Sequence, residues 1–319
     1  MPIIHTSSGP IDANDLGFVL THEHVMICSP EVRAVWPESL DIAAAEQRCI
    51  ARLAAARAAG VDTLVDVTTI DFGRDATFIE HVARAADLRV VVSTGVWNVP
   101  IYFQFQPLES AEAFFVKEIT RGIEGSDLKA ALIKITTNGP TLTPAEDKVF
   151  RAAARAHRRT GVPITTHTEA STRGGLDQQR VLADEGVDLS RVVIGHSETL
   201  DFSYLQQLLD RGSFVSVDRF GSDSESAARM GRPTHAQRLE IVARLCRDGY
   251  ASQLLLSHDT AGISVFPVDW YDQTYPNARF DYIARDVLPQ LLEAGVTHAQ
   301  IEQMTRDNAR RLFSQQTPY

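Results

Sequence analysis

Short β-rich runs, each followed by a longer segment of helical period, recur along the chain, and this alternation limits the fold more than any other feature. Eight runs are read, near Gly17–Glu23, Thr63–Val67, Val90–Thr94, Ala131–Ile135, Pro163–Thr166, Arg191–Ile194, Ser213–Val217 and Gln253–Ser257. Parallel strands joined by crossover helices produce this pattern. Eight such units favour a closed TIM (β/α)8 barrel over an open doubly wound sheet. No Pro/Gly/Ser-rich linker or shift in composition divides the chain, so residues 1–319 are expected to form one domain.

The intervening helices are marked by their ends. Thr143, Pro144 and Glu146 supply an N-cap, a proline at the first helical position and a capping-box acid, and the helix they open should stop at Gly161. Thr234 and Gln237 repeat the box before Leu239–Leu245, with Gly249 as the stop. Another helix should close at Gly60.

With 44% hydrophobic residues the chain can bury a sizeable core. A formal net charge of −10, without a Lys/Arg tract, argues against nucleic acid and leaves a neutral or hydrophobic small molecule as the easier partner. Cys28, Cys49 and Cys246 are too few and too scattered for a disulfide framework or a cysteine zinc site, and suggest a reducing compartment. Neither a signal segment nor a membrane-length run is read, so a cytoplasmic protein is expected.

Polar residues with metal-binding chemistry end several of the runs. His22 and His24 flank Glu23, and the two-residue period of a strand turns both imidazoles to one face. His167 follows Pro163–Thr166, His196 follows Val192–Gly195, and Asp259 follows Leu254–His258. Any one of these could be a satisfied core histidine or a loop cap. Four strands delivering ligand-type residues to the C-terminal rim of a barrel point instead to a site, because barrel enzymes place their chemistry there. Lys134 lies inside the apolar run Ala131–Ile135, where a free ammonium is costly. It could be neutral, could be carboxylated to an anionic carbamate, or could snorkel out of the strand end.

Taken together, Thr21–His24, Ile133–Lys134, Thr165–Thr168, Ile194–Ser197, Val217–Phe220 and Leu256–Asp259 resemble the phosphotriesterase family of the amidohydrolase superfamily, most of all its phosphotriesterase-like lactonase branch. The resemblance covers almost the whole chain. It implies two divalent metal ions, zinc first with cobalt, manganese or iron as alternatives. His22, His24 and Asp259 would hold the more buried ion, and His167 and His196 the more exposed one. Lys134, as N6-carboxylysine, would bridge them. Asp259 would act as general base, and the expected assembly is a homodimer.

Gly212–Val215, Asp218–Phe220 and a modest loop from Gly221 to Pro233 are similar to the lactonases, which implies lactones such as N-acyl homoserine lactones, with promiscuous phosphotriesterase activity. Trp97 departs from that branch, which commonly has tyrosine there, and matches the aryl phosphotriesterases. Trp97, Arg219, Tyr102 and Trp270 are the candidate substrate-binding residues; Phe103, Phe266 and Tyr271 could line the same hydrophobic pocket, cover the barrel or meet a second copy. A serine esterase centred on Ser197 is a weaker alternative, since Gly195–Thr199 lacks the second glycine of a nucleophile elbow.

Overall fold

The computed structural model describes residues 3–224, 227, 229, 231–315 and 317–319. An antiparallel hairpin, β1 (Ile3–Thr6) and β2 (Gly9–Asp12), precedes the main sheet and was not foreseen. The main sheet is parallel and contains β3 (Val19–Met26), β4 (Thr63–Asp66), β5 (Arg89–Gly95), β6 (Leu132–Thr136), β7 (Ile164–His167), β8 (Val192–Ile194), β9 (Phe214–Val217), β10 (Leu254–Leu256) and β11 (Ala261–Ile263). Its order is β10-β9-β8-β7-β6-β5-β4-β3-β11.

Residues β10 and β11 are two pieces of the eighth barrel strand, interrupted at Ser257–Thr260. The first piece pairs with β9 and the second with β3, so the interrupted strand closes the barrel. At the seam Asp259 N–H donates to His22 O at 3.1 Å, and His24 N–H donates to Thr260 O at 2.9 Å. The eight expected strands are all present. The separate β11 was not read, because three residues containing a glycine carry no periodic signal.

Strand alternation divides the core into two layers. Leu20, Leu64, Val90, Ile133, Ile164 and Val215 pack outward with the helices. Val19, Val65, Val91, Leu132, Val193 and Leu255 point inward and fill the lower barrel with Ile4 from the hairpin and Phe313 from the last helix. Lys134 follows Leu132 by two residues and so takes an inward position one layer higher, where apolar filling gives way to the polar site.

The helix ends behave as the sequence requires. Thr143 and Glu146 form a reciprocal capping box for Pro144–Thr160, which stops at Gly161 with φ 79°. Thr234 and Gln237 do the same for His235–Arg247, and Ile42–Ala58 ends before Gly60. The cysteines are free. Among the described residues no helix is long and apolar enough to cross a membrane.

Candidate metal centre

The bulge near the start of β3 sets the geometry of the site. Pairing between β3 and β4 shifts between Leu20 and Glu23. Asp66 occupies the irregularity: its carboxylate accepts from Val25 N–H and Thr68 N–H, both at 2.7 Å. Thr68 Oγ1 in turn lies 2.9 Å from His24 Nδ1, which leaves His24 Nε2 directed at Asp259 Oδ1, 3.3 Å away. His22 Nε2 lies 3.7 Å from the same oxygen.

On the opposite wall, Asp218 follows β9 and is fully buried. Its Oδ1 is 2.7 Å from His196 Nδ1 and its Oδ2 is 3.1 Å from His22 Nδ1. One carboxylate therefore addresses two imidazoles from different strands, and each is left with its Nε2 facing the interior. The Nε2 of His196 is 3.8 Å from Asp259 Oδ2. Donor atoms of His22, His24 and Asp259 lie within 4.8 Å of one another, as do those of His22, His196 and Asp218, so each trio could hold a metal ion.

Two residues of this cluster have left-handed backbone although neither is glycine, His196 at φ 52° and Asp259 at φ 53°. Such a conformation costs on the order of 1–3 kcal/mol and persists where surrounding contacts fix it. Here they do: His196 N–H donates to Asp218, and Asp259 N–H to His22 O. Close approach of neighbouring strands imposes a second local demand. A Cβ at Gly95, which has φ 136°, would stand 1.8 Å from Lys134 O, so only glycine lets β5 and β6 meet beside the site.

Lys134 is 2% exposed, with Nζ 3.1 Å from His22 Nε2 and 3.3 Å from Thr166 O. Burial brings its ammonium down to about 8, against the opposing attraction of Asp259 and Asp218. Burial also lowers His22 and His167, and takes His196 down to about 3. Burial alone would raise the two carboxyls, yet His196 and His22 hold Asp218, and His196 and His24 hold Asp259, well below the usual carboxylate range. Neutral imidazoles beside ionised carboxylates form a donor set suited to divalent cations.

A cavity of about 440 Å³ opens over these donors. Trp97 lines it, packed 4.9 Å from the Phe72 ring and edge-on to His167 at 5.9 Å. His167 reaches the cavity with its ring 4.3 Å from that of His196, although it belongs to neither trio of donors. Arg219 also faces the cavity, its Nε 3.6 Å from Asp259 Oδ2. Tyr102 and Trp270 lie outside its walls: Tyr102 is exposed and rests on Phe103, while Trp270 is exposed and packs on Phe266. Phe266 and Tyr271 do line it. Within the loop from 221 to 233, positions 225, 226, 228 and 230 lie outside the described residues.

Sequence reasoning assigned no role to Asp218 or Glu23. Glu23 is fully buried and gathers the segment that carries Asp259: Oε1 accepts from Ser257 Oγ at 2.7 Å and from His258 N–H at 2.8 Å, and Oε2 from Thr260 N–H at 3.1 Å. Asp218 is an acid just past a strand end and Glu23 an acid inside a buried strand between two histidines, which was the available signal.

The profile described as "Phosphotriesterase family" matches residues 2–313. A Mycobacterium tuberculosis protein called "Phosphotriesterase homology protein" is 43% identical over the full length of both chains. An "Aryldialkylphosphatase" from Saccharolobus solfataricus is 33% identical over 98% of this chain and 99% of its own. The solved structure of a phosphotriesterase from M. tuberculosis superposes with a TM-score of 0.93, at 41% identity and full coverage of both chains.

Proposed function

The chain belongs to the phosphotriesterase family of metal-dependent hydrolases, and from that premise we propose that it is a binuclear lactonase with weaker phosphotriesterase activity. Preferred substrates are N-acyl homoserine lactones or related γ- and δ-lactones, which would make the protein a quencher of lactone signals. The observation that carries the reading is the convergence of His22, His24, Asp259 and Arg219 at one end of a cavity whose side is walled by Phe72 and Trp97.

His22, His24, His167, His196 and Asp259 would hold two divalent cations, zinc first, with Lys134 as N6-carboxylysine between them. Bound there, such a pair supplies an activated water and polarises the attacked oxygen. Lys134 is suited to carboxylation because a buried amine loses its proton readily, and the neutral amine is the form that reacts with carbon dioxide. Asp259, ionised and 3.3 Å from His24, takes the proton of the attacking water and passes it outward. Arg219 is placed to hydrogen-bond the substrate oxygen, and Trp97 offers an apolar wall with one N–H. Residues 1–319 are taken as a single catalytic domain.

A primary aryl phosphotriesterase is the second reading, favoured by Trp97 and by the S. solfataricus aryldialkylphosphatase. Comparing kcat/KM for acyl homoserine lactones, simple lactones and aryl phosphotriesters separates the two: a preference for phosphotriesters by roughly two orders of magnitude reverses the ranking. Chelation should abolish either activity. A Ser197 nucleophile is disfavoured because Ser197 Oγ is buried and donates to Ile194 O at 2.8 Å. Exposed Ile101, Tyr102, Phe105 and Trp270 support a homodimer, which sedimentation of the purified protein tests.

A further inference from the structure

Two guanidiniums line the cavity, and only one of them is neutralised. Arg219 faces two carboxylates, with Nε 3.6 Å from Asp259 and Nη1 3.9 Å from Glu198. Arg238, which is fully buried, is met by Asp223 at 3.1 Å. Arg232 also lines the cavity; its Nε, like those of Arg219 and Arg238, is buried without a hydrogen-bond partner, but unlike them it makes no ion pair among the described residues. The charge that acts on it most strongly is the like charge of Arg219, ahead of Glu169, Asp259 and Glu198.

The position is also built. Arg232 N–H donates to Ala227 O at 3.1 Å, and Thr234 caps the helix His235–Arg247 two residues later, so the side chain leaves from an anchored base. A cation held half-buried with no carboxylate paired to it and a second guanidinium beside it is unfavourable, and a ligand that brings its own anion relieves the cost.

Resting on the hydrolase reading above, we infer that Arg232 is a specificity-determining residue that binds a carboxylate carried by the substrate. Among the γ- and δ-lactones proposed above, the preferred ones are then those that bear one negative charge, ahead of the uncharged N-acyl homoserine lactones. A carboxylate suits the planar guanidinium, which can hold both oxygens, and a single charge suits a wall where Arg219 is already shared with Asp259 and Glu198. Phe72, Trp97 and Phe266 receive the uncharged part. The overall charge of −10 does not oppose this, because charges beyond a Debye length of ~8–10 Å are largely screened whereas the cavity guanidiniums are adjacent.

The test compares a γ-lactone bearing a short chain that ends in a carboxylate with its primary-amide isostere, on metal-loaded wild type, Arg232→Met and Arg232→Gln. Expected is a preference of at least about tenfold in kcat/KM for the carboxylate in wild type, expressed mainly in KM and lost in both variants, while the amide is processed equally by all three. Equal rates for carboxylate and amide in wild type, or an undiminished preference in the variants, overturn the assignment. If neither lactone is turned over, the lactonase reading fails by itself. Calorimetric binding of the same two compounds to the metal-loaded proteins then decides the role of Arg232: tighter carboxylate binding in wild type alone upholds it, and equal binding removes it. Unfolding curves of both variants report whether the fold is retained.

Discussion

Glu23 Oε1 and His258 Nδ1 stand 2.6 Å apart, both fully buried, and this contact fixes the loop that presents Asp259. The imidazole is oriented from both sides, since its Nε2 accepts from Ile283 N–H at 3.0 Å, which leaves Nδ1–H to donate to Glu23. Glu23 thus lies on the same strand as His22 and His24 but acts on the other end of the donor set, by tying β3 to the interrupted eighth strand.

Replacing Glu23 with glutamine keeps one acceptor oxygen and turns the other into a donor facing Thr260 N–H or the His258 group. Asp259 should then be less well held in its left-handed conformation. The expected result is a ~10–100-fold loss of metal affinity or kcat, with the chain still folded. Metal stoichiometry after dialysis against a graded chelator, read beside kcat, checks it. Unchanged stoichiometry together with unchanged kcat would leave Glu23 a mere packing residue.

Asp218 offers a parallel test on the other wall. Asparagine at this position retains one acceptor oxygen, whereas His22 and His196 both need a partner for Nδ1. One imidazole then loses its fixed tautomer. Asp218→Asn should weaken metal binding by ~10–100-fold, and excess metal should restore much of the rate, because the residue orients ligands and touches no substrate. A rate that stays low at saturating metal points to a direct chemical role instead.

Lys134→Ala removes the amine that would carry the carbamate. Activity should fall by more than roughly 100-fold and recover in part when short carboxylic acids such as propionate are added, since they can occupy the space and supply the lost carboxylate. A carbonyl resonance from enzyme reconstituted with ¹³C-labelled carbon dioxide, present in wild type and missing in the variant, reads the modification without reference to rate. Absence of that resonance in active wild-type enzyme sinks the idea.

The barrel was legible because alternation is a bulk property: each inward and outward position repeats every second residue along eight strands, so errors of one or two residues do not disturb it. The ligand-type residues were legible for a related reason, since His167, His196 and Asp259 are polar interruptions at the ends of apolar runs. The partners of those residues were not. Glu23 and His258 are separated by 235 positions, and Asp218 and His196 by 22, so their pairing depends on closure of the barrel and carries no local mark. The position of Tyr102 and Trp270 outside the cavity has a different reason. An aromatic residue on a rim helix can turn toward the cavity or toward solvent, and one residue of helical rotation separates exposed Trp270 from cavity-lining Tyr271.

Far from the site, His157 makes stability depend on pH. Burial takes it from 6.5 to about 4, and the fold holds it neutral: Nδ1–H donates to Val162 O at 2.7 Å, while Nε2 is 2.7 Å from the Tyr319 hydroxyl, which donates to it. Between those two values the unfolded chain binds a proton that the folded chain refuses. The contribution is therefore complete above pH 6.5 and is lost as pH falls toward 4, by about 3 kcal/mol at most. Urea unfolding of wild type and His157→Gln at pH 7 and pH 4.5 measures the difference, and the variant should lose less stability over that interval. Equal losses would show that His157 is protonated in the fold.

A final prediction concerns a buried ion pair that braces the cavity wall without entering it. The Arg74 guanidinium, with its side chain fully buried, is bound by Glu118 through contacts of 2.7 and 3.0 Å, by Glu124 at 3.0 Å and by the Ser93 carbonyl at 2.7 Å. Glu118 also accepts from Thr94 Oγ1 at 2.7 Å, so the pair joins the helix Leu108–Arg121 to β5 just before Gly95 and Trp97. Removing Glu118 leaves the buried guanidinium with only the more exposed Glu124 and the Ser93 carbonyl, at a cost of up to about 3–5 kcal/mol, whereas removing both partners together removes the desolvation penalty as well. Glu118→Leu alone should therefore be strongly destabilising, and Arg74→Met with Glu118→Leu less so than the sum of the single changes, with Glu124 still able to reach solvent. Because neither residue lines the cavity, the folded double variant should keep its KM close to that of wild type. Strict additivity in the unfolding cycle would mean that the two side chains do not act as a pair, and a raised KM would mean that the brace sets the position of Trp97.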